Sequence, residues 1–342
     1  MVATVDARPL PQALNERPCA PPSTRPPHRW PARLAAVGVI IAALVRDRSG
    51  IIVVPGLFVL VVPFEKLFRR HRQAIRRPGL ATDLAYGLAA PGLRLLSTII
   101  GLAVGVVSLA WVPGLLLRPL VLLLPPAAKV VLGVVLVDFV AYWIHRFNHE
   151  LPFLWRFHAV HHSSERLDWV SGLRGHPFDG ALAAPPFVLL SVAGFPVAFV
   201  GAMAAVQVAL GIFLHANVRW RWRPLQRVFV TPEFHHWHHA ADARNTNYAA
   251  LLPLWDIVFG TYAVPGDRRP DRYGIEEPIP AGMVNQLCWP FRDLPPIRRV
   301  LHDGVRHPSR SVRHLVRSVR GGLRQMVACT RRPTRDFVQS RR

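Results

Sequence analysis

The stretch from Ala181 to Leu214 carries no charged residue, and a run that long and that apolar is hard to bury anywhere but in a bilayer. It exceeds the ~20 residues of a single span. Gly194 and Pro196 fall near its middle, where they break a continuous helix, so the run reads as a hairpin of two apolar helices. Leu95 to Leu117 is also free of charge, and Val130 to Ile144 is interrupted only by Asp138. Leu34 to Val45, and Ile51 to Phe64 with Pro55 and Pro63 inside it, are short for a full crossing, so one of them is expected to be re-entrant or interfacial. The expected fold class is therefore all-α, an integral-membrane helical bundle with about four to six inserted helices.

Charge gathers outside these runs. Basic residues number 42 against 20 acidic, a formal surplus of +22, which suits either nucleic acid or an anionic lipid surface. No aromatic or motif pattern of nucleic-acid readers accompanies the charge, so nucleic acid is not an expected partner. The basic stretches Arg69–Arg77, Arg219–Arg227 and the tail are expected on one side of the membrane, which by the positive-inside rule is the cytoplasm. The near-exclusive use of Arg over Lys points to a bacterial source, hence a multi-pass protein of the bacterial inner membrane. In the tail, Arg306, Arg310, Arg313, Arg317, Arg320 and Arg324 recur at helical spacing beside a face of Val305, Val312, Val316, Val319, Leu323 and Met326. That pattern predicts a basic amphipathic helix lying on anionic lipid. Cys19, Cys288 and Cys329 are too scattered for a zinc knuckle or a disulfide framework.

The resulting organisation is a disordered Pro/Arg-rich lead over 1–33 and transmembrane helices over 34–144. A histidine-rich catalytic region follows over 145–265, including the hairpin 181–214, and then a basic tail over 266–342.

The histidine spacing carries the chemistry. His145 and His149 stand four apart at the end of an apolar run, so their imidazoles leave the same helix face. His158, His161 and His162 follow an i, i+3, i+4 pattern, and His235, His238 and His239 repeat it. These exceed the four to six ligands one ion accepts, so two metals are implied. His176 and His215 flank the uncharged hairpin at the same membrane face and are candidate further ligands, whereas His236 falls off the pattern. Imidazole suits iron, zinc, copper or nickel, and no cysteine lies nearby to indicate a structural zinc or an iron–sulfur site. Neutral rings leave the metal charge uncompensated, so a carboxylate is expected to bridge, ligate or orient a ring nitrogen: Glu150 first, the candidate catalytic residue, then Glu165 and Asp138. Aromatic residues crowd the clusters, among them Tyr142, Phe157, Trp169, Phe234 and Trp237, and most are expected to anchor helices at the membrane interface.

The order His145-x3-His149, His158-x2-His161-His162, His235-x2-His238-His239 resembles the three histidine boxes of the fatty acid hydroxylase and sterol desaturase superfamily. The surrounding sequence agrees, from DFVAYWIHRFNH at Asp138–His149 and WRFHAVHHSSE at Trp155–Glu165 to LWDIVFGTY at Leu254–Tyr262. The likeness covers roughly residues 80 to 265. The compact first two boxes and the His149-Glu150 pair are more similar to bacterial sterol-desaturase-like proteins and alkylglycerol monooxygenase than to acyl-lipid desaturases. The resemblance implies a cytoplasmic-face histidine cage holding two non-haem iron ions that activate O2 for hydroxylation or desaturation of a sterol, fatty-acyl or alkyl-ether lipid. It also implies a separate electron donor, either a small redox protein or a reduced pterin. The residues by themselves leave two rivals, a dizinc membrane hydrolase and a metal transporter. The transporter is disfavoured because the histidines end the apolar runs instead of sitting in mid-span.

Overall fold

In a computed structural model, residues 29–292 are described apart from Arg48, residues 221–223, Arg244 and residues 266–267. The expected lead, up to residue 28, and the expected amphipathic tail helix lie outside the described residues. The described chain is helical, with only the isolated bridges Arg69–Val218 and Ala240–Tyr273 in extended pairing. Helices α1 (Arg29–Arg46) and α2 (Ser49–Leu67) lead into α3 (Leu80–Val107), α4 (Trp111–Leu123), α5 (Pro126–Glu150) and α6 (Pro152–His162). Then come α7 (Pro177–Ala181), α8 (Ala184–Val192), α9 (Val197–His215), α10 (Pro232–His238), α11 (Leu254–Val258) and α12 (Met283–Cys288).

Among the described residues, α3, α5 and α9 are long and apolar enough to cross a membrane, and shorter apolar helices accompany them. Their outward faces carry large apolar side chains that a soluble protein would hide, such as Leu102 at 67% exposure, Val131 at 64% and Val208 at 54%. The uncharged run is two helices, α8 and α9, parted at Gly194 (φ +88°) and Pro196. The run Leu95–Leu117, by contrast, is not one helix. It breaks between α3 and α4, where Leu109 adopts φ +54°, and α4 packs back against α8.

Apolar helices gain nothing by hiding from lipid, so they meet where small residues let backbones approach. Gly101 on α3 faces Ala184, and Gly105 faces Val188 one turn further along. Gly114 on α4 lies beneath the Leu189 carbonyl, and Gly133 on α5 receives the Phe199 ring. Around these contacts Val121, Val137, Leu190, Phe195 and Met203 form a core at the end remote from the histidines.

At the opposite end the spans are tied together by buried charge. Asp83, in the first turn of α3, pairs with Arg77 at 2.8 Å and with Arg174 at 2.5 Å, and Arg77 also grips Asp168. Arg70 pairs with Glu233 at 3.2 Å. The Arg69–Arg77 stretch therefore does not present all its charge outward: Arg70 and Arg77 are buried in ion pairs, while Lys66, Arg69, Arg72 and Arg76 remain exposed. Such pairs contribute little net stability against an apolar substitute, but removal of one member strands its partner.

Gly114→Ala would place a methyl 2.8 Å from the Leu189 carbonyl oxygen, backbone that cannot swing aside. We expect it to destabilise the detergent-solubilised protein by about 1–3 kcal/mol in thermal unfolding. Gly201→Ala, which meets nothing within 4 Å, serves as the neutral control.

Candidate metal centre

Two prolines aim the histidines. Pro152 ends α5 by forcing Leu151 into extended backbone (φ −95°, ψ 115°) and at once starts α6, so α6 leaves in a new direction from beside His149. Pro232 opens α10 behind the Thr231 cap, whose hydroxyl accepts the Phe234 N–H. The C-terminal ends of α5 and α9 deliver His145, His149 and His215 to the same place.

Nine of the ten expected ligands converge there in two groups. One holds His145, His149, His158, His162 and His238; the other holds His161, His215, His235 and His239. Within each group one nitrogen from every residue lies within 4.8 Å of all the others. Residues four apart on one helix share a group, as with His145/His149, His158/His162 and His235/His239. The i+3 residues His161 and His238 go to the other group, because i+3 and i+4 leave a helix about 100° apart. The groups touch: the His162 and His239 rings stack at 4.1 Å between centroids.

Hydrogen bonds fix the ring protons. Nδ1 of His145 faces the Tyr248 carbonyl at 2.7 Å, His161 that of Arg174 at 2.9 Å, His215 that of Gly211 at 2.6 Å and His238 that of Thr246 at 2.8 Å. A carbonyl only accepts, so each Nδ1 carries the proton and each Nε2 is a bare lone pair. Nδ1 of His158 lies 3.1 Å from both oxygens of Asp179 and is likewise protonated. Yet Nε2 of His145 and His158 face each other at 3.2 Å, as do those of His215 and His161. Two lone pairs at that distance repel unless a cation lies between or beside them. One such pair occurs in each group, so the donor set fits two metal ions.

Burial keeps His161, His162, His235, His238 and His239 neutral and ready to ligate. The His161 ring is pushed down to about 4 by burial and then by the neighbouring His158. His162, His235, His238 and His239 are held well below their ordinary value, by burial first and by neighbouring imidazoles second.

The remaining expected residues lie elsewhere. His176 caps α7: its Nδ1 accepts the Phe178 N–H and its Nε2 donates to the Leu287 carbonyl, so it stands outside both groups. Glu150 is engaged by Arg146 at 2.8 Å and joins neither group, which leaves the expected catalytic role without a geometric basis. Glu165 is exposed. Asp138 accepts the backbone N–H groups of Leu251 and Leu252 and the Trp255 indole, so it holds the loop behind His145 instead of touching a ring. His236 bridges the Tyr273 hydroxyl and the Ala216 carbonyl. Tyr142, Phe157, Trp169, Phe234 and Trp237 are buried and pack in the interior, whereas Phe147 and Phe153 of the same aromatic set are exposed, as interface anchors would be.

The carboxylate at the centre is one that sequence reasoning missed, Asp179. It also accepts from Asn148 at 3.0 Å. Asp256 was missed too; it accepts the N–H groups of Tyr248 and Ala249 and the Thr261 hydroxyl, and so fixes the carbonyl that orients His145. The available signal was a lone acid inside an otherwise apolar or turn-forming segment, FDG and LWDIV.

A cavity of about 350 Å3 meets both groups. His145, His158, His161, His215 and His235 line it, together with largely apolar residues of α5, α8 and α9, the polar side chains of Asp138, Asn148, Asp179 and Gln207, and the loop residues Ala249, Ala250 and Leu251.

Residues 130–261 match the family described as fatty acid hydroxylase, the likeness that the three histidine boxes point to. It is 39% identical over 173 residues to ornithine lipid hydroxylase OlsE of Rhizobium tropici, covering 49% of this chain and 51% of that protein. It is 33% identical over 148 residues to alkylglycerol monooxygenase of Danio rerio, covering 42% and 32%. To very-long-chain aldehyde decarbonylase GL1-7 of Oryza sativa subsp. japonica it is 30% identical over 151 residues, covering 40% and 23%. The chain thus spans about half or less of the curated relatives it matches. No solved structure matches it.

Because the unfolded chain takes up protons near pH 6.5 while the folded rings resist them, metal-free protein loses stability as pH falls from about 6.5 towards 4, the value to which His161 is depressed. Thermal unfolding of the chelated protein at pH 7.5, 6 and 5 should show a monotonic fall; a midpoint unmoved by pH would contradict the neutral, buried cage.

Proposed function

We propose that this chain is a membrane-embedded, non-haem di-iron oxidoreductase that uses O2 to oxidise a C–H bond of a lipid. The observation that carries this reading is the pair of opposed, proton-free Nε2 atoms in each histidine group. It calls for two cations, and the fatty acid hydroxylase domain favours iron over zinc. Two ferrous ions held there would supply O2 activation and hydrogen removal from an unactivated C–H bond. The names of the relatives, lipid hydroxylase and alkylglycerol monooxygenase, favour hydroxylation over desaturation.

The chain's own residues do the rest. Backbone carbonyls of Tyr248, Arg174, Gly211 and Thr246, with the Asp179 carboxylate, hold the imidazoles in the ligating tautomer. Trp155 packs beside His149 and His162 at 5.2 and 5.6 Å between centroids and screens that side from water. The cavity runs from the histidines along α5 and α9, and Val206 on its rim is 43% exposed within the α9 span, so a lipid can enter sideways from the bilayer. Exposed Lys66, Arg69, Arg72 and Arg76 lie at the histidine end, which supports a cytoplasm-facing centre in a bacterial inner membrane. Electrons come from a separate donor, a small redox protein or a reduced pterin.

Metal analysis of the purified protein should find two irons per chain, with O2 uptake that depends on added lipid. Zinc without lipid-dependent O2 uptake would favour the hydrolase instead. His161→Ala or His238→Ala, one from each group, should lose iron and turnover while inserting normally, whereas His176→Ala should keep both. Turnover surviving in His161→Ala and His238→Ala would overturn the reading. Asp179→Asn removes the negative charge behind His158 and should weaken iron affinity by about 10–100-fold, measured by chelator competition.

A further inference from the structure

The α9 span, VAFVGAMAAVQVALGIFLH, contains one strongly polar side chain before its terminal histidine, Gln207. Met203, Gln207, Leu210 and Leu214 recur at steps of four and three, the α9 stripe that lines the cavity. Gln207 is partly exposed, and its side chain makes no hydrogen bond among the described residues. The same lining includes the apolar Val137 and Ala141 of α5 with Ala183 and Pro186 at the start of α8, and Asp138, whose carboxylate is taken up by the Leu251 and Leu252 N–H groups and the Trp255 indole.

A primary amide without partners in hydrocarbon costs several kcal/mol in apolar-transfer terms, about 2–7. A glutamine needed only for packing would be cheaper as leucine or methionine. Polar groups inside spans mark substrate paths, and here the amide faces the cavity that ends at the metal groups. Gln207 lies eight residues before the ligand-candidate His215, so it stands about 12 Å back from the centre along the helix axis.

We infer that Gln207 is a specificity-determining residue: its side-chain N–H donates to an acyl carbonyl of the lipid, an ester or an amide, and so sets which carbon reaches the metals. This rests on the lipid-oxidation reading and deepens it. The carbonyl is the fitting partner because it is a strong acceptor that can sit in an apolar wall without a donor of its own, whereas an ether oxygen is a poor one. The substrate class is then an acylated lipid, with oxidation falling on the segment about 12 Å from that carbonyl.

The test is binding by purified holoprotein in nanodiscs, read as displacement of a fluorescent dodecyl probe by three matched competitors. These are N-dodecanoylethanolamine, 2-hydroxyethyl dodecanoate and 2-dodecyloxyethanol: an amide, an ester and an ether. Wild type should bind the amide, the ester or both more tightly than the ether, and the tighter of the first two names the linkage. Gln207→Leu should weaken the carbonyl probes about three- to tenfold and leave the ether unchanged; Gln207→Met, of similar length, should do the same. If both variants bind all three probes as wild type does, or lose all three equally, the assignment of Gln207 is overturned while the lipid cavity stands. If wild type binds none of the probes, the cavity reading itself falls, and this inference with it.

Discussion

The centre depends on where the imidazole protons are. A histidine is a metal ligand only through a nitrogen that lacks one, and five rings here are held in that state by what lies behind them: four backbone carbonyls and the Asp179 carboxylate. Once those protons are committed, the nitrogens on the other side can only repel one another or share a cation. Much of the remaining fold keeps the carbonyls in place. Asp256 fixes the turn that presents Tyr248, Asn247 at φ +59° bonds to the Phe234 and Ala263 carbonyls, and the Arg174–Asp83 pair anchors the backbone that faces His161.

Helical geometry then divides the candidate ligands between the two groups. Residues four apart differ by about 40° around a helix and serve one group, while the residue at i+3 points to the other side and serves the second. α6 and α10 each contribute to both groups in this way, so neither group is assembled from one helix. The arrangement couples the two sites mechanically, since rotating α6 to improve one would withdraw His161 from the other.

How much of this was legible from the sequence follows from which contacts are local. The i, i+4 pairs, the apolar spans and the break at Gly194 are properties of neighbouring residues, and they could be read directly. The assignment of His161 and His238 to the group opposite their helix mates could not, because it depends on how α6 and α10 cross. His176 matched the pattern by position, yet Pro177 turns it into a helix cap. Glu150 looked well placed beside His149, but adjacent residues on a helix point about 100° apart, and Arg146 one turn earlier claims it. Asp179 was invisible because its partners, His158 and Asn148, are distant in sequence. The break after Val107 escaped notice because the residues around it, Ser108 to Ala110, are compatible with either helix or turn.

The same placement of charge limits what the centre can bind. Most of the candidate ligands are neutral imidazoles, Asp138 and Asp256 spend their carboxylates on backbone N–H groups, and Glu150 is paired with Arg146, which leaves Asp179 as the carboxylate in contact with a candidate ligand ring. In the proposed centre most of the charge of two divalent ions would therefore remain uncompensated by protein, and in a low-dielectric setting it would favour electron-rich exogenous ligands strongly. A water-filled site would squander that field on solvent. On the proposed reading the approach runs between largely apolar residues of α5 and α9, so the molecules that would reach the metals are those that partition into a bilayer, which describes both a lipid chain and dioxygen.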